Sequence, residues 1–370
     1  MNSYSIQYVR AVAALSVVFY HAIVYLERMY SLPMLHGIFG GRPGTYGVVA
    51  FFVVSGYLMA TIAPKYTPST FLAHRITRIY PIYWLTVAAA IIFFYALWNI
   101  TKPNAGYVPD IGTMLMGRGS EIDILRLTLT PIKYPDFPLG IEWTLLYETT
   151  FYVFVYLVSF FGYIRYLQHI SLVWLALIIG AFLVMPNIQG SYIQPNLLTL
   201  PTLFINAAFI FGILGPKIEK WIPPYFSIAF GVVVLVVTDV VPSPVDMIQV
   251  CFGVFGIVIG VIALERRKKI PRIPFLIKIG DWSYALYLIH VPIIIATYKL
   301  VPQMNQFLLI GIAMILTVAV SSAVGVFDLK LYSYLKSRID NLNPEVQKLI
   351  AILFLIIFMV SAHVGLHFNH

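Results

Sequence analysis

The sequence predicts an all-α, polytopic integral membrane protein with ten or eleven transmembrane helices around an interior cavity. Three observations lead there. Hydrophobic residues make up 60% of the 370 and charged residues 11%, well below the roughly 25% charge of a soluble domain. Apolar stretches of about the length that crosses a bilayer recur along the whole chain, and no polar segment is long enough to fold separately. Ionisable residues stand inside those stretches, where they are costly, at positions that look into one shared interior. Residues 1–370 therefore read as a single transmembrane domain.

Candidate spans run at 9–26, 46–63, 81–99, 141–162, 170–186, 199–214, 225–241, 247–264, 282–301, 305–327 and 347–366. Several are short or interrupted by Pro and Gly, which leaves the count at ten or eleven. No small-residue cleavage site follows the first apolar run, so it reads as a retained helix rather than a signal peptide. The segments 65–80, 163–169, 215–224, 265–281 and 328–346 hold fifteen Lys and Arg residues, against six in the alternate loops. The positive-inside bias then puts the N-terminus in the cytoplasm. The same bias accounts for the net charge of +9 without nucleic acid as a partner. The single cysteine, Cys251, excludes an internal disulfide and a cysteine-rich metal site and reads as a small buried hydrophobe. The loop 100–140, with its amphipathic run 121–129, is either a re-entrant roof over a cavity or a plain connector.

The ionisable residues carry the functional signal. Arg10 and His21 lie eleven positions apart in the first span, close to three helical turns or roughly 16 Å along one face. Arg75 and Arg78 share a face at the mouth of the third span. Two guanidiniums there suit either recognition of phosphate groups or anchoring to lipid headgroups. Glu148 falls roughly 10 Å below the outer end of the fourth span, where an acid is a functional candidate by default. Glu142, near the interface, reads more simply as a solvated end residue. His290 lies roughly 12 Å into an outward-running span and is either a functional group or an interhelical hydrogen-bonder. By depth, His21, Glu148 and His290 are expected to meet near the midplane, with Arg75 and Arg78 at the inner mouth.

Together these stretches resemble membrane-bound acyltransferase family 3, the integral-membrane O-acyltransferases that modify bacterial surface polysaccharides. The resemblance rests on Arg10 with ten residues before His21, the stretch 47–58 with Ser55, Gly56 and Tyr57, and Arg75-x-x-Arg78-Ile79-Tyr80-Pro81. It continues with Trp143-Thr144-x-x-x-Glu148 and with Ser283, Tyr284, Tyr287, His290 and Pro292, in the family's order. Thr144 stands where the family often has Ser, which keeps the hydroxyl. No hydrolase-like extracytoplasmic domain follows the last span, so a stand-alone member is expected, with a lean toward the exopolysaccharide-modifying branch.

The resemblance implies a multi-pass protein of the bacterial cytoplasmic (inner) membrane that needs no metal. Its donor would be a cytoplasmic acyl-CoA, usually acetyl-CoA and in some members succinyl, and its acceptor a glycan hydroxyl. Carried over by position, His21 would be the catalytic histidine, acting as base or through an acylated intermediate, and Arg10 its motif partner. Arg75 and Arg78 would bind the donor. Ser55, Tyr57, Trp143, Thr144, Ser283 and Tyr284 would complete the substrate site. A sugar hydroxyl needs a base within hydrogen-bond reach, and imidazole titrates in the right range. Glu148 is expected to orient His21 or stabilise its charged form, and His290 to hold the acceptor or the thioester carbonyl. Arg10 would help hold the donor or pair with a carboxylate the sequence does not identify. The alternative class is a transporter or flippase for a glycan or anionic solute, though the paired halves common in transporters are not visible.

Overall fold

A computed structural model describes residues 3–30, 40–101, 127–130, 139–189, 195–238, 244–301 and 305–367. Among these residues the chain forms twelve α-helices and no strand. They are α1 (Tyr4–Tyr30), α2 (Arg42–Ile62), α3 (Pro68–Thr101), α4 (Glu142–Phe160), α5 (Leu167–Val184) and α6 (Ala207–Ile218). The second half adds α7 (Pro224–Val237), α8 (Pro244–Arg266), α9 (Pro274–Asp281), α10 (Ser283–Leu300), α11 (Gln306–Asp340) and α12 (Pro344–His367). The protein is an all-α polytopic membrane protein. Most of the loop 100–140, including most of its amphipathic run, lies outside the described residues.

Each of the eleven spans drawn from the sequence falls on a helix. Among the described residues eight helices are long and apolar enough to cross a bilayer: α1, α2 with its 3-10 extension, α3, α5, α8, α10, α11 and α12. Helices α6 and α7, with 12 and 14 residues, are shorter, and α4 carries two carboxylates among its 19 residues. Two elements read as loop are helical. Helix α9 is a short amphipathic helix of about two turns inside 265–281, opened by Pro274 and packed on α1. Helix α11 has 35 residues, roughly 52 Å of rise against about 30 Å of hydrocarbon. Nothing between Gly325 and Asn341 breaks it, so the segment counted as a loop from 328 runs on as helix and packs beside α3.

Helix α2 is central, packed against α1, α6 and α8. Its approach to α6 is a backbone contact: a Cβ on Gly56 would strike the Phe209 carbonyl, and one on Gly212 the Val53 carbonyl. Small residues are what let membrane helices come this close. At the end of the bundle that carries the N-terminus, the Tyr57 hydroxyl donates to Glu219 Oε2 at 2.7 Å, and Arg266 Nη2 sits 2.5 Å from Glu219 Oε1. The fully buried carboxylate thereby ties α2, α6 and α8 together. The Glu265 carboxylate accepts the Tyr4 and Ser5 amides at 2.9 and 3.1 Å, satisfying free donors at the start of α1. On the other side Gly280 of α9 lies against the Gln7 carbonyl. These contacts fix the rotation of α1, and with it where Arg10 and His21 point.

Glu142 departs from the expectation of a solvated end residue. It is fully buried and accepts the Leu139 and Ile141 amides at 2.7 and 2.9 Å. The segment before α4 turns back at Gly140 (φ +73°), and the exposed amides of that turn need an acceptor. Glu142 supplies it from within the helix.

Candidate active site

Six helices enclose a cavity of about 240 Å³. Arg10 enters from α1, Ser55 from α2, Arg75 and Arg78 from α3, Thr144 and Glu148 from α4, Ser283 and Tyr284 from α10, and Tyr332 from α11. Eight of the twelve residues singled out in the sequence thus share one space, although they come from five separate stretches. His21 and His290 form a pair of their own beside it. Tyr57, engaged with Glu219, and Trp143, packed edge-on to Tyr147 at 6.1 Å, do not line the cavity.

The three arginines have different partners. Arg78 Nη1 is 2.8 Å from Asp328 Oδ2, and Asp328 is only 2% exposed. The same guanidinium lies over the rings of Tyr284 and Tyr332, at 4.9 and 5.3 Å. Its charge is matched by the protein. Arg75 lies over Phe71 and Tyr152, at 5.9 and 5.7 Å, and its buried Nε has no hydrogen-bond partner among the described residues. Arg10 Nη1 donates to the Gln7 side-chain carbonyl at 3.2 Å, its only hydrogen bond among the described residues. Glu148 and Asp281 act on Arg10 through their fields and form no ion pair with it among the described residues. The expected pairing of Arg10 with a carboxylate is therefore not found among the described residues. Among the described residues the lining therefore holds two cations without a bonded counterion, facing one carboxylate, and it favours an anion.

Glu148 does not reach His21. It accepts the Tyr152 hydroxyl one turn along α4 and faces the arginines. Its depth explains this: six residues past the start of α4 is only about 9 Å of descent, but α4 packs against α2 and α3, while His21 turns toward α10. The expectation that His21, Glu148 and His290 meet holds for the two histidines alone. His290 Nε2 is 3.0 Å from His21 Nδ1. Helices α1 and α10 are held in register around the pair, because the Tyr298 hydroxyl donates to Ala22 O and the Tyr30 hydroxyl to Tyr298 O, each at 2.8 Å. Between the pair and the cavity stands Tyr287, whose hydroxyl is 2.7 Å from Thr144 Oγ1 and whose ring meets Phe51 edge-on at 5.7 Å.

The sequence reading missed Asp328, Tyr332 and Tyr152. Asp328 and Tyr332 are spaced i, i+4 on the continuation of α11, a signal hidden by ending that span at 327. Tyr152 is spaced i, i+4 from Glu148 on α4 and was legible as such. Pro81 and Pro292, inside α3 and α10, each remove one ladder bond close to Arg78 and His290.

A family model described as acyltransferase domain matches residues 3–326. The chain belongs to acyltransferase family 3. It is 30% identical over 263 residues to the exopolysaccharide production protein ExoZ of Rhizobium meliloti (strain 1021), covering 67% of this chain and 75% of that protein. It is 24% identical over 285 residues to the acyltransferase MdmB of Streptomyces mycarofaciens, covering 68% of each. No solved structure matches the chain. The family membership makes this protein a membrane acyltransferase, and the matched span includes the three arginines of the cavity and the histidine pair, while Asp328 and Tyr332 lie just beyond it.

Proposed function

We propose that this acyltransferase moves an acyl group, acetyl by preference, from cytoplasmic acyl-CoA to a hydroxyl of a bacterial surface glycan. The observation that carries the reading is the cavity itself: an anion-favouring chamber opening among Arg10, Arg75 and Arg78, with a histidine pair just past its far end. A thioester on a polyanionic carrier fits the first part. A hydroxyl that must lose its proton fits the second. Positive-inside charge puts the arginine end in the cytoplasm, where acyl-CoA is made. The likeness to an exopolysaccharide production protein supports a polysaccharide acceptor.

In the reaction, His21 takes the proton of the acceptor hydroxyl as the oxygen attacks the thioester carbonyl carbon. The C–O bond forms, the C–S bond breaks, and the proton passes to the departing thiolate, giving ester and free CoA. Arg75 holds donor phosphate by charge-assisted hydrogen bonds. Arg78, already paired with Asp328, shapes the mouth. Glu148 faces Arg10 and Arg75 and offsets part of their mutual repulsion. Mass spectrometry of surface polysaccharide from a deletion strain and its complemented parent tests the reading: the parent glycan carries an acyl mass that the deletion lacks. Identical glycan masses in both strains refute it.

A further inference from the structure

Among the described residues, every ring nitrogen of the two imidazoles except His21 Nε2 has a hydrogen-bond partner, and those partners determine where the protons sit. His290 Nδ1 is 2.6 Å from the Tyr287 carbonyl, which can only accept. His290 Nδ1 therefore carries the proton, and in the neutral ring Nε2 is then an acceptor. That lone pair points at His21 Nδ1, 3.0 Å away. His21 Nδ1 also lies 3.1 Å from the Val17 carbonyl, a second acceptor. Two acceptors on one nitrogen require that nitrogen to be the donor. His21 is thus the Nδ1–H tautomer, and its Nε2 is left with a free lone pair.

We propose that His290 is the positioning partner of His21: it receives the His21 Nδ1–H, locks that tautomer, and leaves His21 Nε2 as the one basic nitrogen of the pair. This rests on the reading of His21 as the base for the acceptor hydroxyl. It replaces the expected role of His290 as a holder of acceptor or thioester. When the hydroxyl proton arrives on Nε2, His21 becomes an imidazolium and its Nδ1–H bond to His290 Nε2 becomes charge-assisted. The charge is shared across two rings and discharged when the proton leaves for the thiolate. No proton is gained or lost by the pair over the cycle.

The surroundings explain why the partner is an imidazole. His290 is fully buried, and among the described residues no carboxylate forms an ion pair with either ring. A carboxylate at this place would bury a charge in the resting protein, and buried charges in spans are expensive. A second neutral imidazole orients the first without a standing charge. Its own orientation comes from the Tyr287 carbonyl, and Tyr287 is in turn tethered through its hydroxyl to Thr144. The motif residues Thr144, Tyr287 and His290 thereby form one line of support from α4 to His21.

The test uses the whole protein in nanodiscs. In ¹⁵N-histidine-labelled protein, with His21 signals assigned by difference against His21→Gln, the proposal expects a protonated Nδ1 and an unprotonated Nε2. It also expects a ¹⁵N–¹⁵N coupling across the hydrogen bond, lost in His290→Phe. With acetyl-CoA as donor and the strain's own de-esterified surface polysaccharide as acceptor, His290→Phe should lower kcat on the order of 10- to 100-fold, the range for losing the partner that orients a metal-bound imidazole. The KM for acetyl-CoA should stay unchanged. His290→Gln, whose amide can accept from His21 and donate to Tyr287 O, should recover part of the loss. A protonated Nε2 on His21, an absent coupling, or full kcat in His290→Phe overturns the proposal, the last leaving Val17 as the sole tautomer lock. If the spectrum is as expected but wild-type protein transfers nothing, the acyl-transfer reading fails and the pairing stands.

Discussion

Replacing Asp328 by Asn isolates the one fully compensated cation of the site. Asp328 is 2% exposed, and the Arg78 side chain is 16% exposed with Nη1 2.8 Å from the carboxylate. The substitution keeps the shape and removes the charge. What it leaves is a guanidinium held among Tyr284 and Tyr332, with ring faces but no anion. Breaking a buried pair by removing one partner costs about 3–5 kcal/mol, mostly because the remaining charge is stranded. The ring faces return about 0.5–2 kcal/mol of that and are present in both proteins, so they do not reduce the difference. The exposed Glu345–Lys348 pair, at 2.7 Å with side chains 74% and 58% exposed, is the internal control. There Glu345→Gln should change stability by less than about 1 kcal/mol. Denaturant titration of both variants and the parent in the same micelle gives the comparison. Asp328→Asn within 1 kcal/mol of the parent would refute the claim that Arg78 is a buried, protein-matched charge.

Arg75→Ala should weaken CoA binding by calorimetry about tenfold or more, since a hydrogen bond to a charged group contributes about 1.5–3 kcal/mol; unchanged affinity would return Arg75 to a lipid-anchoring role. Gly56→Val should destabilise the protein by about 1–3 kcal/mol or more by forcing α2 away from α6, read by the same denaturant titration. Cys251 is fully buried, so N-ethylmaleimide should label it only after denaturation, which mass spectrometry of the intact protein reports; rapid labelling of native protein would contradict the packing of α8 against the segment around Phe204.

Much of this was legible in the sequence because the membrane imposes one rule on every span. Apolar length located the helices, and the cost of an ionisable group in hydrocarbon singled out Arg10, Glu148 and His290. What failed shares a cause. Glu142 was assigned to solvent by its depth alone, yet the turn at Gly140 offers it buried amides, a tertiary fact no periodicity carries. Glu148 was given to His21 by depth, but depth fixes one coordinate of three; the packing of α4 on α2 and α3 sets the others. Helix α11 was cut at the bilayer edge because hydropathy reports lipid contact and is silent about a helix that continues into water. That cut hid Asp328, so Arg75 and Arg78 looked equivalent, whereas among the described residues Arg78 has a bonded counterion and Arg75 has none. The facing of His21 and His290 needed the register that Tyr298 and Tyr30 set between α1 and α10.

The central claim is that His21 activates a hydroxyl against an acyl-CoA thioester. Purified protein in nanodiscs, given radiolabelled acetyl-CoA and de-esterified surface polysaccharide, tests it most directly. The account predicts label on the polysaccharide with the parent protein, and a loss of roughly 10²- to 10⁴-fold with His21→Ala, the span a general base commands, while CoA affinity is retained. Transfer by His21→Ala at the parent rate would contradict it.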